Sequence, residues 1–139
     1  QPRGWVMYRT EWSVYDETIM VAGQIDAVFK DAAGELHMVD WKRCKEPLHP
    51  DAKQNFGRYG YFPCEALIDN ACVHYFLQQN LYMALLRRRY GLQLRSMSLV
   101  QLHPAQSGYR MLQVPDWFSL ANELLQRSAE TVAPQNLWI

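Results

Sequence analysis

The sequence predicts an α/β fold, a mixed and mainly antiparallel sheet of about five strands flanked by helices. Three observations carry that reading. The N-terminal third holds three runs rich in Val, Ile, Tyr, Trp and Thr, set apart by short turn signals. A stretch from 69 to 90 then places Leu77, Leu81, Ala84 and Leu85 at helical spacing. The chain as a whole, 139 residues with 49% hydrophobic and 20% charged side chains, has the size and composition of a single domain spanning 1–139, and half of it would be too small for a good core.

Residues 6–15, VMYRTEWSVY, read as the first strand, with Asp16-Glu17 as a turn. Residues 18–30 make the second strand, Asp31-Ala32-Ala33-Gly34 a turn, and 35–42 the third, which gives an antiparallel meander. From Arg43 to Ile68 no period holds, and Pro47, Pro50, Gly57, Gly60 and Pro63 punctuate a loop long enough to be functional or mobile. The helix over 69–90 opens on Asp69 as N-cap and stops at Gly91. Strands at 95–102 and 109–114 and a helix over 116–130 complete the chain. Trp12, Ile19, Ile25, Phe29, Val39, Trp41, Leu77, Leu81 and Leu85 are the expected core.

Fourteen basic residues balance fourteen acidic ones, so any contact with nucleic acid must rest on local charge. No apolar run reaches the length that crosses a bilayer, and no signal peptide is visible, so no membrane partner and no secretion are expected. Cys44, Cys64 and Cys72 form no CxxC pair, which points to a reducing intracellular compartment: nucleus, cytoplasm or a viral setting. The missing initiator Met and the apolar end Trp138-Ile139 read as a fragment of a longer polypeptide.

The second hairpin carries the chemistry. A three-residue loop Ala32-Ala33-Gly34, with Gly34 left-handed, pairs Asp31 with Glu35, and by that register Asp26 lies across from Asp40 and Gln24 across from Lys42. Those four polar side chains share one face, and Ile25, Ala27, Phe29, Val39 and Trp41 take the other. A four-residue loop would scatter polar groups among apolar ones. Opposed strand residues stand roughly 4.5 to 5.5 Å apart at Cβ, so two carboxylates there repel unless something positive lies between them. Lys42 is about 6.5 to 7 Å along the strand from Asp40, and a hard divalent ion suits the gap better.

GQID at Gly23 to Asp26 followed by VDWKR at Val39 to Arg43 resembles the GxxD and (D/E)xK pair of the PD-(D/E)XK nuclease superfamily. Gln78 and Tyr82, in QQNLY on the helix, resemble the QxxxY motif of its RecB-like and lambda-exonuclease-like branch. The run from YRTEW to RRRYG and beyond, about residues 8–114, is similar to RecB-like domains of large DNA viruses and some protists. Three motifs in order are more specific than any one. The resemblance implies a restriction-endonuclease-like core and a Mg²⁺- or Mn²⁺-dependent nuclease acting on DNA, single-stranded or at duplex ends, exonuclease-like, in replication, repair or recombination, with a helicase or other domain of the same polypeptide as partner. It implies Asp26, Asp40 and the Trp41 carbonyl as metal ligands, Lys42 as the group that orients the attacking water, and Gln78 and Tyr82 as its support. Glu11 matches the accessory carboxylate ahead of GxxD, though a solvated strand residue is the commoner reading. Two departures are visible: no helix precedes the first strand, and the second acid is Asp40 where Glu is more usual. A catalytically inactive, nucleic-acid-binding derivative of such a nuclease is the alternative.

Arg43 and Lys45 are candidates for substrate phosphate, as are Lys53 and Arg58 in the loop. Arg87, Arg88 and Arg89 need no ligand, since cations in a last helical turn complement its dipole. Phe56, Tyr59, Tyr61 and Phe62 have a pattern that can stack unpaired bases, although such loops more often pack on their own core. His37 reads as structural or as an exposed strand residue, His49, His74 and His103 show no ligand spacing, and the cysteines read as small buried hydrophobes.

Overall fold

Val-, Tyr- and Trp-rich runs broken by turn residues fold into a meander, β1 (Val6–Asp16), β2 (Val21–Lys30) and β3 (Leu36–Arg43), in a computed structural model that describes residues 4–54, 57–105, 107–130 and 137–138. After a long connection come α1 (Ala71–Leu85) with a π-helical turn Leu86–Tyr90, β4 (Leu94–Leu102), β5 (Tyr109–Gln113), α2 (Phe118–Glu130) and the short β6 (Leu137–Trp138). The sheet runs β1-β2-β3-β4-β5, antiparallel throughout except for the parallel β3–β4 pair, while β6 lies parallel to the start of β2. This is the expected α/β class.

The β2–β3 turn closes as its sequence dictates. Gly34 takes φ 84°, a conformation that costs a residue with a side chain, and Asp31 N–H donates to the Glu35 carbonyl at 2.9 Å. Ala27 therefore pairs with Val39 and Lys30 with Leu36, the anticipated register. The first turn spans 17–20 instead of closing at Glu17, because Asp16 is drawn inward: its carboxylate accepts from Thr18 N–H and hydroxyl and from Arg88 Nε at 3.1 Å. Burial alone would raise the Asp16 pKa, and the bonds from Thr18 and Arg88 outweigh it and lower it.

The helix begins one residue later than expected. Asn70, not Asp69, is the N-cap, its side chain accepting from Val73 N–H at 2.8 Å. Asp69 instead pairs with His74 at 2.6 Å. The helix ends at Gly91, φ 65°, after the π turn in which Arg88 reaches Asp16 and Arg87 lies 4.1 Å from the Phe118 ring centre.

Both helices bear on one face of the sheet, where Val28, Met38, Leu85, Leu86, Leu99, Leu112 and Leu125 form the main core. The other face carries only a small cluster, Ala27, Phe29, Val39 and Val100, against which Trp5 packs. That asymmetry corrects one core expectation. Trp41 faces this thinly covered side and stays 41% exposed. Trp12 and Leu77 are half-buried, Trp12 resting edge-on against Tyr90. Ile25 joins the main core instead of the face of Ala27 and Phe29, beside a local irregularity in which Glu11 on the neighbouring strand takes φ 45°. His37 is structural as expected: it contacts Ser96 Oγ at 2.6 Å and Asp31 at 2.8 Å and stacks under Trp5. No helix among the described residues is long and apolar enough to cross a membrane.

Candidate active site

The site lies where two neighbouring strands part. The β2–β3 ladder ends at Ala27 and Val39, and farther back along β2 it is β6 that pairs with Val21 and Ala22. One step beyond the ladder stand Asp26 and Asp40. Asp26 spans the opening fork by accepting from Trp41 N–H at 3.0 Å. Strand alternation aims Asp40 and Lys42 at the helix-bearing face along with Met38.

Asp40 is 4% exposed and lies within hydrogen-bond reach of the Asp26 carboxyl. Its Oδ2 is 2.9 Å from Lys42 Nζ, an ion pair in distance, yet off the directions of a proper hydrogen bond, so that buried oxygen lacks a hydrogen-bond partner. Burial and the hydrogen bond with Asp26 push the Asp40 pKa up to about 6, against the opposing pull of Lys42.

Helix α1 supplies the far wall. Gln78 Oε1 accepts from Lys42 Nζ at 3.1 Å. Tyr82, one turn on and on the same side, is buried beside the pair, its hydroxyl accepting from Gln24 N–H. Burial first, then the nearby Asp40 carboxylate, raises its pKa to about 12, so it remains a protonated donor at neutral pH. Tyr75, three residues before Gln78, places its ring centre 4.5 Å from Lys42 Nζ. Sequence reading missed Tyr75, although its helical spacing from Gln78 was a usable signal.

Asp26, Asp40, Lys42, Gln78 and Tyr82 are thus brought together, and the Trp41 peptide borders them through its N–H. Other candidates fall elsewhere. Glu11 is exposed, and among the described residues no group of three or more His, Cys, Asp or Glu is gathered closely enough to hold a metal ion. The Glu11 backbone stands opposite Asp26, between the Thr10–Ala27 and Trp12–Ile25 pairs, with a φ of 45°. Arg43 alternates onto the opposite face with Trp41, which removes it from the acidic pair. Gln24 has no Lys42 opposite, because the strands have parted before they reach that level; its side chain approaches the Glu11 carbonyl at 3.5 Å.

Lys45 is exposed at the rim of a groove with His103 and Arg110. Lys53 and Arg58 are exposed in the loop, and Phe56 lies outside the described residues. Tyr59, Tyr61 and Phe62 do not pack on the core as such loops usually do: Tyr61 is 89% exposed, Tyr59 and Phe62 over half. They project from a tight structure closed by the Tyr59–Ile68 bridge and by Gly60 N–H to the Leu67 carbonyl at 2.8 Å. Among the cysteines only Cys72 is fully buried, and all three are free.

The donor set suits a hard cation. Two carboxylates crowd together with one ammonium between them and solvent, and a buried Asp40 oxygen is left without a hydrogen bond; oxygen ligands of this kind are what Mg²⁺ takes, one or two at a time.

No family model matches the chain, and no curated protein matches it. Among solved structures, the crystal structure of SSO0001 resembles it with a TM-score of 0.47 at 16% identity, over 91% of this chain and 52% of that one. This chain therefore spans about half the length of that protein. A likeness at this level says nothing of activity.

Proposed function

We propose that this chain is a divalent-metal-dependent nuclease domain that hydrolyses phosphodiester bonds of DNA, exonuclease-like, in replication, repair or recombination. It would act in a reducing intracellular compartment and beside a helicase or other domain of a longer polypeptide. The observation that carries this reading is the convergence of Asp26, Asp40 and Lys42 with Gln78 and Tyr82 at the fork between β2 and β3. These are the residues on which the resemblance to the PD-(D/E)XK superfamily rests.

Asp26 and Asp40 would hold Mg²⁺ or Mn²⁺, which when bound supplies the charge that polarises a phosphodiester and lowers the pKa of water. Lys42 is held by its hydrogen bond to Gln78 Oε1 and its ion pair with Asp40, which leaves N–H donors for the attacking water or a phosphate oxygen. Its positive charge stabilises the negative charge that builds on the phosphate as the water oxygen bonds to phosphorus and the ester oxygen departs. Gln78, Tyr75 and Tyr82 keep the Lys42 and Asp40 side chains from turning away. The exposed rings of Tyr59 and Tyr61 offer faces to unpaired bases, while Arg127 lies 4.4 Å from the centre of the Phe62 ring.

Cleavage of circular and linear labelled DNA, with Mg²⁺ or Mn²⁺ and with chelator, tests activity and the need for ends together. Asp40→Ala and Lys42→Ala abolish metal-dependent cleavage; cleavage unchanged in both variants would refute the assignment. A second reading, a nucleic-acid-binding derivative without catalysis, is favoured by the exposure of Glu11, since among the described residues no third acid gathers with Asp26 and Asp40. Binding of DNA with no metal-dependent cleavage selects it.

A further inference from the structure

Beside the acidic pair, three strands carry one row of polar side chains across the helix-bearing face. Lys42 pairs with Gln101 across β3–β4, and Gln101 with Arg110 across β4–β5. At a strand spacing of about 4.8 Å, the row brings Arg110 to about 10 Å from Lys42, measured along the backbone. The segment that follows β3 is strapped over the middle of this row. Gln101 accepts from Leu48 N–H at 2.9 Å and donates to the Glu46 carbonyl at 2.7 Å, and Arg110 donates to the Leu48 carbonyl.

The strap borders a groove of about 240 Å³, lined chiefly by Lys45, Pro47, Gln101, His103, Tyr109 and Arg110. No acidic side chain lines it. Among the described residues neither Lys45 nor Arg110 has a carboxylate within ion-pair distance. The Leu48 carbonyl engages one N–H of the Arg110 guanidinium and leaves the others available. His103 Nδ1 accepts from Ala105 N–H at 3.0 Å, which puts its proton on Nε2 as a further donor. The result is a concave, acid-free set of cationic and neutral donors.

We infer that this groove takes phosphate groups of the nucleic-acid strand whose scissile phosphodiester sits at Asp26, Asp40 and Lys42. The inference rests on the nuclease reading and extends it, making Lys45 and Arg110 backbone clamps that fix the strand's course across β3, β4 and β5. Phosphate is the favoured partner because the groove gathers Lys45, Arg110 and His103 with no acid in its lining and lies two strands from Lys42, so a single polyanion passing over the strap can engage both. An arginine fork beside a lysine matches phosphate oxygens in number and direction.

The test measures binding without metal, in chelator, so that it does not depend on cleavage. Labelled single-stranded and duplex oligonucleotides are titrated against the wild-type chain, a Lys45→Gln/Arg110→Gln double variant and Arg89→Gln, which removes a charge from the π-helical turn outside the groove. The double variant binds about tenfold more weakly, and its plot of log affinity against log salt is shallower by about 1.4 on single strands or about 1.8 on duplex. Arg89→Gln matches wild type. Lys45→Gln alone, at an exposed site with no partner to lose, keeps the test decisive if the double variant melts early; its slope falls by about 0.7 on single strands. Inorganic phosphate, titrated separately at matched ionic strength, separates a strand site from a site for free anion. Unchanged slopes in both groove variants overturn the inference, as does a wild-type chain that takes inorganic phosphate or an acidic peptide but no oligonucleotide. A chain with groove-dependent binding that cleaves neither linear nor circular DNA sinks the nuclease reading and leaves the groove standing.

Discussion

Replacing Asp40 by Asn makes the metal-free protein more stable while destroying the proposed activity. Burial and Asp26 raise the Asp40 carboxyl from 3.8 to about 6. Below pH 3.8 the group is protonated in both the folded and unfolded chain and costs nothing. Between 3.8 and about 6 the unfolded chain ionises first, so the folded state loses ground as pH rises; above about 6 both are ionised and the full cost applies. A shift of this size corresponds to about 3 kcal/mol against folding at neutral pH. Asn removes that burden but leaves Lys42 without its counter-charge, supported by Gln78 and the Tyr75 ring, so the net gain is about 1 to 3 kcal/mol. For a domain of this length that is about 3 to 10 °C in Tm. Thermal melts of wild type and Asp40→Asn at pH 7.5 and pH 4, in chelator, show the gain at pH 7.5 and its near-disappearance at pH 4. Adding Mg²⁺ stabilises wild type alone, since ligand that binds only the folded state adds to its stability. An Asn variant that melts lower than wild type at pH 7.5, or gains equally at both pH values, refutes the argument that a desolvated carboxylate is held here.

Gln79 is 1% exposed with neither amide atom bonded, so Gln79→Met should add about 1 to 3 kcal/mol of stability, read by urea denaturation; a loss would show that a partner exists. Tyr61→Ala removes an exposed ring, and single-strand affinity should fall by about 1 to 3 kcal/mol while Tm stays within about 2 °C of wild type, measured by anisotropy and thermal melts. Burial raises the Cys72 thiol from 9.0 to about 11, so a thiol reagent at pH 8 should modify it about a hundredfold more slowly in the folded chain than in the denatured one, with mass spectrometry of time-quenched samples locating the label.

The fold and half the site were legible because local chemistry wrote them. Gly34 and the polar–apolar alternation around it fixed the β2–β3 register, and that register alone set Asp26 beside Asp40. The four-residue spacing of Gln78 and Tyr82 put both on one side of α1. What stayed hidden depended on contacts between distant segments. The exposure of Trp41 follows from a sheet face with only Trp5 packed on its small cluster, which no window of sequence around Trp41 reports. The Lys42–Gln101–Arg110 row requires the parallel β3–β4 pairing, formed across a connection of some fifty residues with no turn signal to announce it. Nor could the sequence report the positive φ that Glu11 takes in β1 opposite Asp26. For Arg43 the face was legible, since counting from Asp40 already assigns it to the opposite side of β3.

The thinly covered side of the sheet bears on how this protein behaves in the test tube. Trp41, Leu102, Tyr109 and Met111 line one shallow apolar groove there, open to water. Salting-out ions strengthen contacts between such surfaces and loosen those between ammonium groups and DNA. Concentrated sulfate or phosphate buffers will therefore drive these molecules onto one another, and chloride is the better salt in which to vary ionic strength when the proposed DNA binding is tested.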